Sequence, residues 1–506
     1  MRSKMSDVRP KILLFLLLLL FTMTAAAQDV IIQRGCRRGT PRPEGLVSRR
    51  GSPNAQPKRA GGDFYHGEHH QLTVLVEFND RAFKGDSTAT KAQWEKIFNA
   101  ENLTEAPFKG SVHDYFMDQS YGDFNLVFDL IYIQVSGDAK KYASTSADDE
   151  NSQYLVEDIM EVLKTRDIDW SLYDWNGDGY VNQLLIVYAG KGMNDGGGSN
   201  TIWPHQWWMS EHLKDSQPGV YCDPIPVTYG GKEYKVDCYC ALAELTRNND
   251  YGSFGTICHE YSHCFGFPDF YYGSNTSVVG GWDLMDNGNY NGGGYCPSGY
   301  SSHERWLMGW LSPTELNEST TVIDMPQLSE QPVAYLVRND GWKNEYYFIE
   351  NRQKTGWDAE IPGHGVIVFH IDFEPSVWTS TKIMPNSSSN KRYTIFPANN
   401  NTSTSSSNVS KWGYPYQGND SLTNFSTPKA MLNHENVDGD SLMSKPITNM
   451  IVTDGKASFK FMPSSATAIR EQKNAYSKAT VLYRFGNFSI IRSEKGEIRK
   501  VMERSK

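Results

Sequence analysis

The chain has 506 residues, a formal net charge of −10 at pH 7 and 13% aromatic residues. This length is sufficient for two or more domains, each with a hydrophobic core. The acidic balance argues against a nucleic-acid partner, because it leaves no basic surface on the folded body.

The N-terminus has the three parts of an export signal. Basic residues precede the apolar run 12–21, and alanines follow at 25–27. The run is too short to span a bilayer comfortably, which disfavours a membrane anchor. The sequence therefore predicts a signal peptide over residues 1–27 and an exported protein, secreted or at the cell surface, without stable membrane insertion.

Residues 28–61 are predicted to be a basic leader, which would act as a short prosegment or a linker. The segment is rich in arginine, glycine, proline and serine. It has no hydrophobic periodicity, so it lacks the pattern of a packed element.

From about residue 62 the hydrophobic pattern becomes that of a folded domain, which we place at 62–318. Apolar runs predict strands at 72–78, 124–130 and 183–189, and helical periodicity predicts helices at 93–99, 111–119 and 154–164. In the last helix Leu155, Ile159 and Leu163 share one face. The alternation of strands and helices indicates an α+β fold with a mixed sheet backed by helices.

An acidic loop precedes the third of these strands. Asp174, Asn176 and Asp178 stand at alternate positions before Gly179, as in the first half of an EF-hand calcium loop. The twelfth position is Leu185 instead of the bidentate glutamate, which excludes a complete EF-hand. Two interpretations remain: a calcium site formed by the three oxygen-bearing side chains, and an Asx-rich turn that needs no ion.

Residues 259–269 contain the strongest functional signal. His259 and His263 lie one turn apart on a predicted helix, so both imidazoles can reach one ion. Glu260 lies beside them, where it can take a proton from a water molecule on that ion. Gly266 permits a sharp turn, and Asp269 follows as a third ligand that leaves the fourth position open. The pattern predicts a zinc peptidase site.

Met285 lies in the segment 281–288, shortly after this helix. In metzincin-like sites a methionine in such a turn forms an apolar floor under the ligands. Two other interpretations stay open: an amphipathic helix whose histidines are satisfied by core neighbours, and a site in which the distant Glu304 is the third ligand. Gly266, Asp269 and Met285 argue against the second of these.

The second half of the chain is predicted to be mainly β-structure. A helix over 301–311 is followed by residues 319–462, whose alternating pattern predicts an all-β, β-sandwich-like domain. Within it, residues 386–410 form an Asn/Ser/Thr-rich patch, which predicts a solvated loop. Residues 463–506 form a C-terminal tail that resembles the sorting segments of exported proteins.

Seven cysteines occur in the chain. An odd number in an exported protein leaves at least one thiol unpaired or paired between chains. Cys222 can reach Cys238 or Cys240 if a hairpin joins them. Cys258 and Cys264 point to different faces of one helix and should not bridge each other.

Several motifs resemble the M6 family of immune inhibitor A-like metallopeptidases. They are HEYSHCFGFPDFYY at 259–272, GGWDLMDNGNYNGG at 280–293, the loop 174–182, and the segments 201–205, 345–353, 361–365 and 370–372, which together fall between about 62 and 460. The resemblance implies a secreted zinc endopeptidase with a metzincin-like domain followed by a β-rich domain. It also implies zinc ligands at His259, His263 and Asp269. Glu260 would be the general base and Met285 the Met-turn residue.

The sequence departs from this family in one position of interest. Relatives often carry a tyrosine two positions after the methionine, where this chain has Asn287. Tyr290 is nearby, but the sequence assigns it no role. Cys36 in the leader has two interpretations: a residue without function, which we prefer, and a thiolate that caps the metal before cleavage.

The combined prediction is an exported, monomeric, zinc-dependent endopeptidase that hydrolyses protein or peptide substrates. Zinc is the predicted cofactor, and calcium is a second candidate ion. The alternative is an exported β-rich binding or adhesive protein with a structural or inactive zinc site. An intact Glu260 disfavours the alternative, because a silent site needs no general base.

Overall fold

The computed structural model describes residues 65–143, 151–214, 219–252, 254–273, 276–378, 384–463, 480–485, 488–492 and 498–502. The predicted signal peptide, the leader and Cys36 lie outside these described residues.

The α-helices in the described ranges are α1 (Ser87–Asn99), α2 (Val112–Gln119), α3 (Ala139–Tyr142), α4 (Ser152–Leu163), α5 (Phe254–Phe265), α6 (Ser302–Met308), α7 (Pro375–Trp378) and α8 (Ser406–Val409). The strands are β1 (Gly67–Glu77), β2 (Phe124–Gln134), β3 (Tyr180–Val181), β4 (Leu184–Lys191), β5 (His205–Trp208), β6 (Ile225–Tyr229), β7 (Lys232–Val236), β8 (Cys238–Leu245), β9 (Thr314–Glu315), β10 (Thr320–Met325), β11 (Tyr335–Arg338), β12 (Glu345–Arg352), β13 (Gly365–Asp372), β14 (Tyr393–Ile395), β15 (Ile447–Thr453), β16 (Lys456–Phe461), β17 (Thr480–Phe485), β18 (Phe488–Arg492) and β19 (Ile498–Met502).

A sheet of five described strands lies at the centre of the N-terminal half. Its order is β2-β1-β4-β8-β5, in which β5 is antiparallel to β8 and the other neighbours are parallel. The predicted mixed sheet with helices is therefore confirmed. Helix α1 begins earlier than predicted, because the Asp86 side chain accepts hydrogen bonds from the amides of Thr88 and Ala89.

Hydrophobic cores lie on both faces of this sheet. Leu72 and Val74 of β1 pack in the core that contains the apolar face of α4. Leu75, which points the other way, packs in the core that contains α5. Both faces of β1 are thus covered, which explains why its sequence is a continuous apolar run and not an alternating one.

The C-terminal half contains two sheets of described strands, ordered β14-β13-β12-β11-β9 and β10-β16-β15. A third core lies between them and includes Tyr347 and Ile349 of β12. Tyr346 and Phe348 alternate with these residues and pack in the same core as α5. One face of the β12 sheet therefore belongs to the hydrophobic core that supports the histidine helix.

The helix predicted over 301–311 is shorter than expected. Ser301 and Glu304 form a capping box at the start of α6. The helix ends at Met308, because Gly309 adopts a left-handed conformation with φ +83°. The prediction that it continues to 311 is wrong.

The solvated loop predicted over 386–410 is also wrong in part. The segment contains β14 and α8, and Asn386 and Tyr393 within it are fully or almost fully buried. The Asn386 carboxamide bonds backbone groups, so a polar residue is compatible with burial there. Composition alone could not reveal this use of the side chain.

The disulfide that the sequence left open between Cys222 and Cys238 or Cys240 is not formed. Cys238 and Cys240 lie in the core that contains α5, whereas Cys222 packs against the core on the opposite face of the sheet. The sheet therefore separates their sulfur atoms.

In the described part of the chain, no helix has both the length and the apolar character needed to cross a bilayer. Strands β17, β18 and β19 of the predicted tail form a small antiparallel sheet of their own.

Candidate metal centre

Helix α5 presents two histidines to one point. The rings of His259 and His263 lie one turn apart, with centroids separated by 4.9 Å. Tyr261 fixes the opposite face of the helix to the central sheet. Its hydroxyl donates to Gln71 Oε1 at 2.6 Å and accepts from Gln183 Nε2 at 2.8 Å. These bonds therefore fix the orientation of the helix about its own axis as well as its position.

A sharp turn brings a carboxylate back to these histidines. Helix α5 is followed by Gly266, whose φ is +102°, a value that favours glycine. Asp269 Oδ1 lies 3.3 Å from Nε2 of His259 and 3.3 Å from Nε2 of His263. One ligand atom from each of these three residues lies within 4.8 Å of the others, and all three residues are buried. The structure thus brings together the three predicted ligands.

Backbone carbonyls orient both imidazoles. His259 Nδ1 lies 2.8 Å from the carbonyl oxygen of Leu284, and His263 Nδ1 lies 2.7 Å from that of Phe267. A carbonyl can only accept, so each Nδ1 carries a hydrogen, and Nε2 is the ring atom that faces Asp269 and is left to bind an ion. This arrangement is the usual one for histidines that bind a metal through Nε2.

The three donor atoms fit a zinc ion. Zinc prefers nitrogen and oxygen ligands at about 2.0–2.1 Å in tetrahedral geometry, which places neighbouring ligand atoms about 3.3 Å apart. Each imidazole nitrogen lies at that separation from the carboxylate oxygen. Two neutral nitrogens and one carboxylate also leave a fourth position for a water molecule.

The electrostatics of the site favour positive charge. Burial alone would lower the pKa of His259, but the hydrogen bond to Asp269 and the charge of Glu260 raise it to about 9. Burial alone would raise the pKa of Asp269, yet His263 and His259 hold it below its usual range. A pocket that stabilises an imidazolium in this way also suits a divalent cation.

Glu260 is buried beside these groups. Only 3% of its surface is exposed, and its charge contributes to the raised pKa of His259. Tyr290 is 43% exposed. Desolvation raises the pKa of its hydroxyl, and the charges of Glu260, Asp195 and Asp269 raise it further. Tyr290 therefore lies within electrostatic range of Glu260 and Asp269.

Met285 lies in a loop that contacts both the histidine helix and the segment that carries Asp269. It is fully buried, and its carbonyl accepts a hydrogen bond from the amide of Phe270 at 2.9 Å. The preceding residue, Leu284, supplies the carbonyl that orients His259. The Met285 loop is therefore joined to the helix and to the segment that carries Asp269.

Two residues considered in the sequence have other partners. Glu304 Oε2 accepts from the amide of Ser301 at 2.7 Å within the capping box of α6, and Glu304 is outside the three-residue group. His205 is packed, with Nδ1 2.6 Å from the Trp203 carbonyl and Nε2 3.0 Å from the Tyr239 hydroxyl. Neither residue takes part in the candidate centre.

The acidic loop gains no support as a calcium site. Asp174 Oδ2 accepts from the amide of Gly179 at 3.0 Å, and Asp178 Oδ1 accepts from the amide of Tyr180 at 2.8 Å. Asn176 Nδ2 donates to Asp178 Oδ2 at 2.8 Å. These contacts are those of an Asx-rich turn.

Three further residues near the centre could not be found from the sequence. Asp283, Asn386 and Tyr393 bond the loops that surround the ligands. Asp283 and Tyr393 are 110 positions apart, and no local spacing links them. The motif around 280–293 contains Asp283, but it gives no sign of the partner.

Paired helix histidines and a buried carboxylate on an α+β scaffold are the features of a metal-dependent peptidase. Residues 65–309 match the family model described as Immune inhibitor A peptidase M6, catalytic domain. This segment, just under half of the chain, is therefore similar to the catalytic domain of M6 peptidases.

The chain is also similar to a curated protein, Immune inhibitor A of Bacillus thuringiensis subsp. alesti. The two are 26% identical over 277 residues, which covers 46% of this chain and 38% of the relative. The chain thus matches about two fifths of the length of that relative.

Proposed function

We propose that the chain is an exported zinc-dependent endopeptidase that hydrolyses protein substrates. The observation that carries the proposal is the convergence of His259, His263 and Asp269, with each Nε2 3.3 Å from one carboxylate oxygen. The match of residues 65–309 to the M6 catalytic-domain model supports the peptidase assignment. Export rests on the predicted signal peptide at 1–27.

His259, His263 and Asp269 would hold the zinc ion. A zinc ion bound there would polarise the scissile carbonyl and lower the pKa of a water molecule towards neutrality. Glu260 would accept the proton of that water as the water attacks the carbonyl carbon. The same carboxyl group then gives the proton to the departing amine, which completes hydrolysis of the peptide bond.

Met285 is proposed to act as the apolar floor of the site. Its full burial and its backbone bond to Phe270 support this role. Residues 319–462 are proposed to be a β-sandwich-like domain, and 463–506 a sorting tail. Calcium binding at Asp174, Asn176 and Asp178 stays a prediction, which melting temperatures with and without added calcium would test.

The proposal is tested with Glu260→Gln, which keeps the size of the side chain and removes its basicity. We expect zinc content equal to that of the wild type and gelatin or casein hydrolysis lowered by about 100-fold or more. Glu161→Gln is the matched control, because Glu161 is an exposed helix glutamate remote from the ligands. The control should retain full hydrolysis.

Two results would overturn the proposal. One is a purified wild-type protein that holds no zinc and cleaves neither substrate. The other is full hydrolysis by Glu260→Gln, which would remove the general base from the mechanism. A zinc-containing wild type without hydrolysis would instead favour the binding protein with an inactive centre.

A further inference from the structure

A residue of the sheet that contains β12 and β14 packs directly on the segment that carries Asp269. Tyr393 of β14 stacks on Phe270, with ring centroids 3.7 Å apart and planes inclined by 14°. Both residues are fully buried. Phe270 follows Asp269 in the chain, so the stack restrains the backbone that carries the third ligand.

The hydroxyl of Tyr393 reaches the other side of the centre. It donates to Asp283 Oδ2 at 2.6 Å. Asp283 Oδ1 in turn accepts from the amide of Met285 at 2.8 Å. The residue between them, Leu284, provides the carbonyl that orients His259. One tyrosine thus connects to the third ligand through its ring and to the first ligand through its hydroxyl.

Asn386 completes the connection between the sheet and the ligand segment. Its amide nitrogen lies 2.6 Å from the Phe270 carbonyl and 2.9 Å from the Tyr393 carbonyl, and donates to both. Its side-chain oxygen accepts from the amide of Tyr393 at 2.9 Å. Only 2% of Asn386 is exposed, so water cannot readily replace these bonds.

We propose that Tyr393 and Asn386 are positioning residues of the metal centre. The sheet that contains β14 would then help to hold the metal ligands in place. The inference rests on the proposed zinc site. Its physical basis is that ligand orientation contributes to metal affinity, and that groups which hold ligands typically change affinity or activity by about 10–100-fold when removed.

A matched control separates this role from ordinary packing. Tyr347 lies on β12 of the same sheet, is fully buried, and donates its hydroxyl to the Met431 carbonyl at 2.6 Å. Its ring faces the core between the two C-terminal sheets, away from α5. Tyr347→Phe therefore removes an equivalent hydrogen bond that has no connection to the ligands.

The experiment compares Tyr393→Phe, Asn386→Ala and Tyr347→Phe in the full chain. Zinc release to a chromophoric chelator is measured, together with the rise in melting temperature that zinc produces and the separate values of kcat and KM. We expect zinc release about tenfold faster in Tyr393→Phe and Asn386→Ala. Both variants should also show a smaller zinc-induced stabilisation and a lower kcat with little change in KM.

Tyr347→Phe should release zinc within about twofold of the wild-type rate, even though its unfolding free energy falls. The inference is overturned if Tyr393→Phe and Asn386→Ala also keep the wild-type release rate while the wild type binds zinc and is active. In that case the proposed function stands. If the wild type binds no zinc, the proposed function fails and the positioning role fails with it.

Discussion

Gly266 controls how the chain passes from the histidine helix to Asp269. Its amide donates to the His263 carbonyl at 2.9 Å, and its φ of +102° turns the chain back towards the ring nitrogens. A side chain is disfavoured at such a φ. The position of the third ligand therefore depends on a residue that ligates nothing.

Gly266→Ala should weaken zinc binding as well as the fold. The strained backbone costs about 1 kcal/mol, and relief of the strain would move Asp269 away from the histidines. Gly418→Ala is the control, because Gly418 has φ +82° and its new methyl group would meet no atom within 4 Å. Chelator competition should show weaker zinc binding in Gly266→Ala alone; equal zinc affinities in the two variants would contradict the role given to Gly266.

Asp269→Ala should remove zinc and activity together, in contrast to Glu260→Gln. Loss of a direct ligand should lower zinc affinity by more than the roughly 10–100-fold typical of a supporting residue. Asp178→Ala, which changes an exposed carboxylate in the acidic loop, should keep zinc. Metal analysis after dialysis measures the difference, and a zinc-loaded Asp269→Ala protein would exclude Asp269 as a ligand.

The local sequence was sufficient to predict which residues are the candidate metal ligands. His259, His263 and Asp269 lie within eleven consecutive positions, where helix geometry and one glycine determine how the side chains meet. Sequence could not reveal that the Leu284 carbonyl orients His259, because every residue has a carbonyl and only the fold decides which one is near.

At the scale of single elements, α6 inserts a histidine between aromatic rings. His303 contacts the rings of Tyr346, Phe348 and Trp378. Burial lowers its pKa to about 3. The folded protein therefore keeps this imidazole neutral under conditions in which the unfolded chain would protonate it.

Acid should destabilise the protein through His303. Because the folded pKa is lowered, its contribution to stability is complete above the unfolded pKa of about 6.5 and is lost as pH falls towards 3. At pH 5 the loss is about 2 kcal/mol. Urea unfolding at pH 7.5 and 5 should show a pH dependence smaller by that amount in His303→Gln. His364→Gln, at an exposed position, should behave as the wild type does; an unchanged pH dependence in His303→Gln would refute the prediction.

Hydrophobic periodicity was sufficient to predict an element that buries only one of its faces. Helix α4 has its predicted apolar face, because Leu155, Ile159 and Leu163 pack against the sheet. Strand β12 is different, since residues on both of its faces are buried. An apolar run reveals such burial, but it cannot show which neighbour covers each face.

At the scale of the whole molecule, the two halves of the chain share a hydrophobic core. Phe348, Phe369 and Tyr393 from the C-terminal sheet belong to the same cluster as Ile257 and Met285 around the metal helix. A chain that ended at residue 318 would leave one side of this cluster in water, and each large aromatic ring buries about 150–250 Å².

Truncation after residue 318 should therefore yield a protein without cooperative unfolding or zinc-dependent activity. Truncation after residue 463 is the control, because it retains both C-terminal sheets as far as β16. Circular dichroism melts and gelatin hydrolysis distinguish them. A 1–318 chain that melts cooperatively and cleaves gelatin would show that the N-terminal half is sufficient.

The long-range part of the site was not predictable from one sequence. Asn386 and Tyr393 lie in a segment whose Asn/Ser/Thr composition predicted a solvated loop, yet both residues are buried against the ligand segment. Composition reports the average polarity of a segment, whereas these contacts depend on two buried side chains within it.

Zinc K-edge X-ray absorption on the purified full-length protein examines the coordination most directly. The spectrum should show two imidazole nitrogens and carboxylate or water oxygens at about 2.0–2.1 Å, and it should lose the imidazole pattern in His259→Ala. A scattering shell at about 2.3 Å would indicate cysteine sulfur. That result, or a protein that takes up no zinc, would contradict a centre formed by His259, His263 and Asp269.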